Sequence, residues 1–314
     1  MFLFLYANMC LQEKISHDSI FFLEKNRGLS QTVTDLKNTG VIKNGFIFRI
    51  AMELKLKFKG EKHIKYGEYE FRHSDRVLDV VDKIRDNEVY YRSVTFPEGL
   101  SNRSIFRIIE NNDFLSGEMP SEESIGEGTL LAETYYFRRG DSRNSIIERM
   151  QRGMENFINE SWDRRYQNPL IRTKYEALIL ASMVEKESGN FFEKKLTASV
   201  FLNRLAKNMY LQSDPTAIYS YARGDVEKEK KMKTSVLLRE KTPYNTYRTK
   251  GLPPAPICNP SRESLLAVLQ PVKSDYLFFV SNGNGGHNFS VSYAEHRKFV
   301  NELRKKNGGA VKQP

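Results

Sequence analysis

The chain has 314 residues, of which 39% are hydrophobic and 28% charged, and its formal net charge is +10. This length allows one large or two smaller domains, and the composition fits a folded body better than a disordered chain. The positive charge favours an anionic partner, such as nucleic acid, phospholipid headgroups or acidic polymers, without choosing among them. Because the sequence contains no recognisable nucleic-acid-reading motif, we expect no nucleic-acid partner.

The few cysteines and histidines exclude several classes of site. Cys10 lies in the apolar start of the chain and Cys258 in a Pro-rich loop, so no disulfide framework is predicted. The five histidines are dispersed and form neither an H-E-x-x-H motif nor a zinc-like array with cysteines. We therefore predict no metal and no cofactor.

The chain starts with an apolar segment, residues 1–11, within a predicted short N-terminal region of residues 1–18. The segment is far shorter than the roughly 20 residues that cross a bilayer as a helix. Its length favours a strand or a disordered end, with the remnant of a membrane anchor as the alternative.

Residues 19–90 are predicted to form a small α+β module. Strands are expected at residues 20–23, 66–71 and 90–96, where short apolar or alternating runs occur. Between them, one helix should follow Gly28 with Ser30 as its N-cap, and another should follow Gly45. A third helical stripe begins at Val77.

Residues 91–308 are predicted to form a larger, mainly helical domain with a small sheet, which makes the fold class α+β. Helices are expected at residues 146–162, 175–188 and 196–205, and the second of them is apolar all round, as a buried helix is. A strand at 276–280 and a Gly-rich turn precede a last helix. Residues 309–314 are predicted to be a disordered tail.

Two glutamates, Glu185 and Glu187, end the apolar helix. A carboxyl group that is desolvated there has a raised pKa, which suits a general acid. The two lie about 200° apart around the helix axis, so one should act and the other support. The pattern alone does not choose between them, and helix-end salt bridges to Lys186 or Lys194 are the structural alternative.

Six short motifs follow one another over 110 residues: 180–187 (LASMVEKE), 200–205 (VFLNRL), 211–216 (LQSDPT), 244–254 (YNTY and GLPP), 259–261 (NPS) and 285–289 (GGHNF). In this order and spacing they resemble the YceG-like family of endolytic murein transglycosylases. Residues 97–99 and 127–135 also resemble family segments, and residues 19–90 resemble its LysM-like module. The chain departs from the family at Ala132-Glu133, where Pro-Asp is usual, and in its missing or truncated N-terminal membrane helix.

The resemblance implies a lytic transglycosylase that cleaves the β-1,4 bond between N-acetylmuramic acid and N-acetylglucosamine within glycan strands. It assigns the acid and base work to Glu187, which leaves the supporting role to Glu185. The products would carry 1,6-anhydro ends, and cleavage would limit the length of nascent strands. Because the muramyl 6-hydroxyl closes the ring, no second carboxylate is required.

Polar residues within the matched motifs are candidates for contacting the saccharide, because sugar sites combine amide or hydroxyl partners with aromatic faces. Each also has a structural alternative, such as bracing helices or starting a turn. They are Asn203, Gln212, Asp214, Asn245, Tyr247 and His287.

Two other functions stay open. In a lysozyme-like hydrolase, Glu187 would protonate the glycosidic oxygen while Asp214 or Glu98 acted as base or nucleophile. A non-catalytic peptidoglycan-binding protein would instead rely on residues 19–90.

The resemblance also implies the cellular setting. Peptidoglycan glycan strands would be the substrate, with peptidoglycan synthases as candidate partners. An N-terminal anchor would hold the enzyme at the bacterial inner membrane, with the catalytic domain facing the periplasm.

Overall fold

The computed structural model describes residues 2–61, 63–231 and 238–306, so the predicted tail at 309–314 lies outside the described residues. The architecture is mixed, with helices and three two-stranded sheets among the described residues. The chain divides into two compact units. The first comprises Met1–Val94, Phe114–Ser116 and Tyr135–Asp141, and the second comprises Thr95–Asp113, Gly117–Thr134 and Ser142–Pro314. The predicted domain boundary at residue 90 stays a prediction.

The first unit is built around a two-stranded antiparallel sheet in which Phe21 pairs with Tyr69. The inner face of the sheet and three helices enclose one hydrophobic core, which includes Leu36, Phe48, Phe71 and Val81. In chain order the elements are α1 (Phe2–Gln12), β1 (Ser19–Leu23), α2 (Leu29–Asn38), α3 (Gly45–Lys59), β2 (Gly67–Phe71) and α4 (Val77–Asp86).

Two predictions about this unit are wrong. The apolar start is the helix α1 rather than a strand or a disordered end, because residues 2–12 contain no β-branched residue and many good helix formers. α2 begins at Leu29, so Gly28 rather than Ser30 is its N-cap. The Gln31 side chain accepts a hydrogen bond from the Gly28 amide and so satisfies this end of the helix. Among the described residues, no helix has both the length and the apolar character needed to cross a bilayer.

The second unit is mainly helical and is organised around one buried helix. Its core gathers residues from five helices and the loops between them. The remaining elements of the chain are β3 (Arg92–Thr95), α5 (Asn102–Glu110), β4 (Thr134–Phe137), α6 (Arg143–Asp163), α7 (Lys174–Glu187), α8 (Phe191–Ala206), α9 (Asp214–Ala222), α10 (Val226–Lys231), α11 (Arg262–Leu269), β5 (Phe278–Ser281), β6 (His287–Ser290) and α12 (Tyr293–Lys306). β3 pairs with β4, and β5 pairs with β6 in an antiparallel hairpin.

The buried central helix predicted at residues 175–188 is confirmed as α7. Its eight residues from Ala177 to Val184 are all buried, and α6, α8, α9 and α11 pack around it. A capping box starts the helix, since the Thr173 hydroxyl accepts from the Glu176 amide and the Glu176 carboxylate accepts from the Thr173 amide. The backbone becomes extended at Ser188, so Glu187 is the last helical residue.

Candidate active site

Glu187 sits at the end of α7 with one hydrogen bond and no ion pair among the described residues. The Ser213 hydroxyl donates to Glu187 Oε1 at 2.6 Å, whereas Oε2 has no donor in the described part of the chain. Burial raises the pKa of Glu187 to about 7, and the negative charge of Asp214 adds to that rise. The Ser213 hydrogen bond and the positive charge of Arg204 oppose it. The carboxyl group is therefore held near half-protonation at neutral pH, as a group that both gives and takes a proton should be.

Ser213 is held in place by two buried threonines. Its amide donates to Thr246 Oγ1 at 3.0 Å, and its carbonyl accepts from Thr216 Oγ1 at 2.6 Å. The two threonine hydroxyls lie 2.9 Å apart, and all three residues are at most 1% exposed. Because its backbone is fixed on both sides, Ser213 can place its hydroxyl against Glu187 without further ordering.

Asp214 and Tyr247, two of the predicted saccharide contacts, meet beside Glu187. The Tyr247 hydroxyl donates to Asp214 Oδ1 at 2.5 Å. Burial is the larger cause that raises the pKa of Tyr247, and this hydrogen bond is the second. Asp214 opens α9, where the helix dipole favours a negative charge. One oxygen of Asp214 is thus committed to Tyr247, while its charge acts on Glu187.

Gln212 is the predicted contact with the most accessible side chain near this group. Its backbone has a left-handed φ of 52°, and its amide donates to the Thr246 carbonyl at 3.2 Å. The side chain is exposed and makes no hydrogen bond to the described residues. It is free to meet a ligand, and that role stays a prediction.

The amide groups of Asn203 and Asn245 bind the main chain. Asn203 Nδ2 donates to the carbonyls of Ser274 and Tyr276 at 2.8 and 2.9 Å, and so fixes the segment before β5. Asn245 Nδ2 donates to the Glu240 carbonyl at 2.6 Å. These contacts match the structural alternative for both residues, and saccharide contact by either stays a prediction.

His287 begins β6 and is paired with a glutamate on α8. Its Nδ1 lies 2.9 Å from Glu193 Oε2, and its amide donates to Glu193 Oε1 at 3.1 Å. The imidazole packs edge-on against Phe279. The pairing joins the hairpin to the start of α8, and contact of His287 with a saccharide stays a prediction.

Glu185 lies on another side of α7 in a fully occupied polar cluster. Its Oε2 accepts from the Ser261 amide at 2.9 Å and from the hydroxyls of Ser261 and Ser264, each at 2.5 Å. Lys194, whose side chain is 3% exposed, lies 3.4 Å away. The carboxylate thus supports the first turn of α11, and the salt bridge proposed as a structural alternative belongs to Glu185.

Glu98, the alternative base, belongs to the same cluster as Glu185. Its carboxylate lies 3.9 Å from Lys194 Nζ, and burial together with the charge of Glu185 raises its pKa. Among the described residues, Glu98 makes no hydrogen bond with Glu187, Ser213 or Asp214. The alternative of a hydrolase that pairs Glu187 with Glu98 stays open, because the two catalytic carboxyl groups of a glycosidase stand about 5 to 9.5 Å apart and need not bond to each other.

A third buried carboxyl group, that of Glu127, shows why a raised pKa alone does not identify the site. Burial raises the pKa of Glu127 to about 7, as it does for Glu187. The carboxylate, however, accepts from the Asn102 amide, the Asn259 side chain and the Tyr219 hydroxyl at 2.9, 3.3 and 3.1 Å. Both of its oxygens are occupied, so Glu127 braces the loops around it.

Ser213, Thr246 and Arg204 were not singled out from the sequence. Arg204 is 6% exposed and donates to the carbonyls of Leu211 and Leu277, each at 2.6 Å. The sequence did hold a signal for Arg204, because it lies just after the apolar run from Val200 to Leu202, and a charged residue in such a place is rarely buried without a defined partner. Ser213 and Thr246 carried no such signal, since hydroxyl residues are common in loops.

Comparison with known proteins places the chain in a family. A family model described as the YceG-like family matches residues 21–302. An endolytic murein transglycosylase from Bacillus subtilis is 28% identical, over 94% of this chain and 88% of that protein. Endolytic murein transglycosylases from two strains of Streptococcus pneumoniae are 26% identical over 84% of this chain, which spans 54% of their length.

A solved structure agrees with these matches. The crystal structure of a YceG-like protein from Listeria monocytogenes aligns with a TM-score of 0.51 and 27% sequence identity, and the alignment covers 91% of this chain and 99% of that one. Since the family model spans most of the sequence, this chain belongs to the YceG-like family.

Proposed function

We propose that this protein is an endolytic murein transglycosylase, which cleaves peptidoglycan glycan strands internally. The observation that carries the proposal is the setting of Glu187, a carboxyl group with a pKa of about 7, one oxygen held by Ser213 and no ion pair among the described residues. The names of relatives that align over most of this chain support the same activity.

The proposed reaction uses the Glu187 carboxyl group twice. Protonated Glu187 donates its proton to the glycosidic oxygen as the bond between that oxygen and C1 of N-acetylmuramic acid breaks. The carboxylate then removes the proton of the muramyl 6-hydroxyl while that oxygen bonds to C1, which closes a 1,6-anhydro ring. The proton returns to Glu187, and no water is consumed. Oε2, which has no donor among the described residues, is the oxygen suited to carry this proton.

Several finer roles belong to the same proposal. Cleavage of nascent strands would limit their length, beside peptidoglycan synthases at the outer face of the inner membrane. Residues 19–90 would form a LysM-like module that binds the glycan, which the order β1-α2-α3-β2 with antiparallel strands supports.

The chemical form of the muramyl ends of the products tests whether cleavage proceeds by ring closure or by hydrolysis. Digestion of purified sacculi followed by mass spectrometry should yield fragments that end in 1,6-anhydro-N-acetylmuramic acid. Reducing muramyl ends, one water heavier, would instead identify a hydrolase. Asp214 would then be the second carboxylate to examine, because it lies close enough to raise the pKa of Glu187.

Replacing Ser213 should shift the pH dependence of cleavage. The first step needs protonated Glu187, so the rate should fall as the pH rises through about 7. The Ser213 hydrogen bond lowers the pKa of Glu187, so Ser213→Ala should move this alkaline limb to higher pH. The maximal rate should fall about 10-fold, because the carboxyl group loses the donor that orients it.

Rate profiles of strand release across pH, measured for wild type, Ser213→Ala and Ser213→Thr, check this expectation. Ser213→Thr retains a hydroxyl and should restore the limb toward the wild-type position. If the alkaline limb of Ser213→Ala stays at the wild-type pH or moves to lower pH, the hydrogen bond from Ser213 does not act on the ionisation that limits the rate.

A further inference from the structure

Asp214 lies immediately after the residue that holds the Glu187 carboxyl group. The Ser213 hydroxyl donates to Glu187 Oε1 at 2.6 Å, and Asp214 is the first residue of α9. The Tyr247 hydroxyl donates to Asp214 Oδ1 at 2.5 Å, which leaves Oδ2 without a hydrogen bond among the described residues. Glu187 and Asp214 thus each keep one carboxyl oxygen unbound.

The half-buried Asp214 carboxylate makes no ion pair with a lysine or an arginine of the described residues. Glu185, by contrast, lies 3.4 Å from Lys194. The Arg204 guanidinium, whose charge also acts on Glu187, donates to main-chain carbonyls instead. The Tyr247 hydroxyl and the start of α9 stabilise the charge of Asp214 by their dipoles. A carboxylate held in this way keeps its field for a positive charge that develops nearby.

The proposed reaction creates such a charge. When the bond between C1 and the glycosidic oxygen breaks, its electron pair stays with the oxygen, which takes the proton of Glu187. C1 and the ring oxygen of N-acetylmuramic acid then share a positive charge until the 6-hydroxyl oxygen bonds to C1. A general acid works from about 2.6 to 3.2 Å away from the oxygen that it protonates, and C1 is bonded to that oxygen. A negative charge that is close enough to act on Glu187 is therefore also close to C1.

We propose that the Asp214 carboxylate stabilises the positive charge that develops at C1 during cleavage, by attraction and without forming a bond. This inference rests on the proposed transglycosylase function and adds a second acidic residue to its mechanism. Unlike the second carboxylate of a hydrolase, Asp214 neither attacks C1 nor takes a proton, so the product keeps its 1,6-anhydro ring. Tyr247 is a positioning residue, because its hydroxyl holds Oδ1 and leaves Oδ2 for the sugar.

A pair of saccharide analogues tests this attraction without cleavage. The first is a disaccharide of N-acetylglucosamine and N-acetylmuramic acid in which an amine nitrogen replaces C1, and the second is its neutral lactam. At mildly acid pH, below the Glu187 pKa of about 7, the amine is charged and Glu187 is mostly neutral. Wild type should then bind the amine at least about 10-fold more tightly than the lactam, whereas Asp214→Asn should bind the two about equally.

Two further variants separate the charge of Asp214 from its surroundings. Tyr247→Phe removes the positioning hydroxyl but retains the carboxylate, so it should still prefer the amine. Asp163→Asn makes the same chemical change at the exposed end of α6 and should bind both analogues as wild type does. The inference is overturned if wild type binds the amine no more tightly than the lactam, or if Asp214→Asn keeps the full preference.

Cleavage of purified sacculi by Asp214→Asn gives a second readout. The maximal rate should fall at least about 100-fold, and the remaining products should keep their 1,6-anhydro ends. After burial, the charge of Asp214 is a further cause that raises the pKa of Glu187, so the alkaline limb should move to lower pH, opposite to Ser213→Ala. An unchanged maximal rate would contradict the inference. Reducing ends in the wild-type products would instead refute the proposed function, and they are read without any variant.

Discussion

Glu187→Gln is expected to abolish strand cleavage while the folded protein still binds sacculi. Glutamine keeps the shape of the side chain and can still accept from Ser213, but it cannot give or take the proton. General acid–base catalysis contributes about 10²- to 10⁴-fold to a step, and here one carboxyl group serves both steps. We therefore expect the rate to fall by at least about 10³-fold.

Release of soluble fragments from purified sacculi, together with a pelleting assay for binding, checks this expectation. Glu160→Gln makes the same chemical change at an exposed position on α6 and should leave cleavage unaltered. A Glu187→Gln protein that cleaves like the wild type would favour the non-catalytic binding function. Loss of both cleavage and binding with an intact fold would place Glu187 in ligand binding instead.

The same variant should be more stable than the wild type at alkaline pH. The pKa of Glu187 is raised from 4.5 to about 7 in the folded state, so the folded protein binds the proton more tightly than the unfolded chain does. The wild type therefore loses stability as the pH rises from about 4.5 to about 7, a loss on the order of 1–3 kcal/mol. Glutamine has no such loss. In urea unfolding at pH 8, Glu187→Gln should thus have a larger free energy of unfolding than the wild type, and this difference should vanish at acid pH.

Glu185→Gln is expected to lower the free energy of unfolding by about 3 kcal/mol, because it leaves the Lys194 ammonium group buried without its nearest charge. The Glu185 carboxylate also accepts three hydrogen bonds from Ser261 and Ser264, which together hold α11 on α7. Activity should fall with the folded fraction rather than through the pH profile. Glu185 would then stabilise the fold and Glu187 would carry the proton transfer, although only Lys186 separates them in the chain.

Urea unfolding of two further variants isolates the buried charge as the cause. Glu263, which is 53% exposed, lies 3.7 Å from the same Lys194, so Glu263→Gln should cost less than about 1 kcal/mol. Combining Glu185→Gln with Lys194→Met should recover part of the lost stability, because the buried ammonium group is then gone and the carboxylates of Glu98 and Glu263 are half-exposed. If Glu185→Gln unfolds at the wild-type urea concentration, the cluster does not stabilise the fold as described.

The central helix of the second unit could be predicted from the sequence because its signal is local. The run from Ala177 to Val184 is apolar on every side, and Thr173 and Glu176 supply a capping box at its start. The prediction of a strand or a disordered end at the start of the chain was wrong for a related reason. Residues 2–12 are apolar without a period, and length cannot separate a strand from a helix in such a run.

The different roles of Glu185 and Glu187 could not be predicted from the residue pattern alone. Their partners are distant in sequence, since Ser213 lies 26 residues from Glu187 and Ser261 lies 76 residues from Glu185. Only packing decides which carboxyl group receives one donor and which receives a full set with a buried lysine. The family resemblance pointed to Glu187, and the physical difference between the two environments agrees with that choice.

A titration of the Glu187 carboxyl group tests directly whether it can serve as the acid at neutral pH. Carbon-13 NMR of the protein labelled at glutamate side-chain carboxyls, with Glu187→Gln used to assign the missing signal, gives the titration of this one group. We expect a midpoint of about 7. A midpoint near the ordinary value of 4.5 would mean that Glu187 is ionised at neutral pH and cannot serve as the acid.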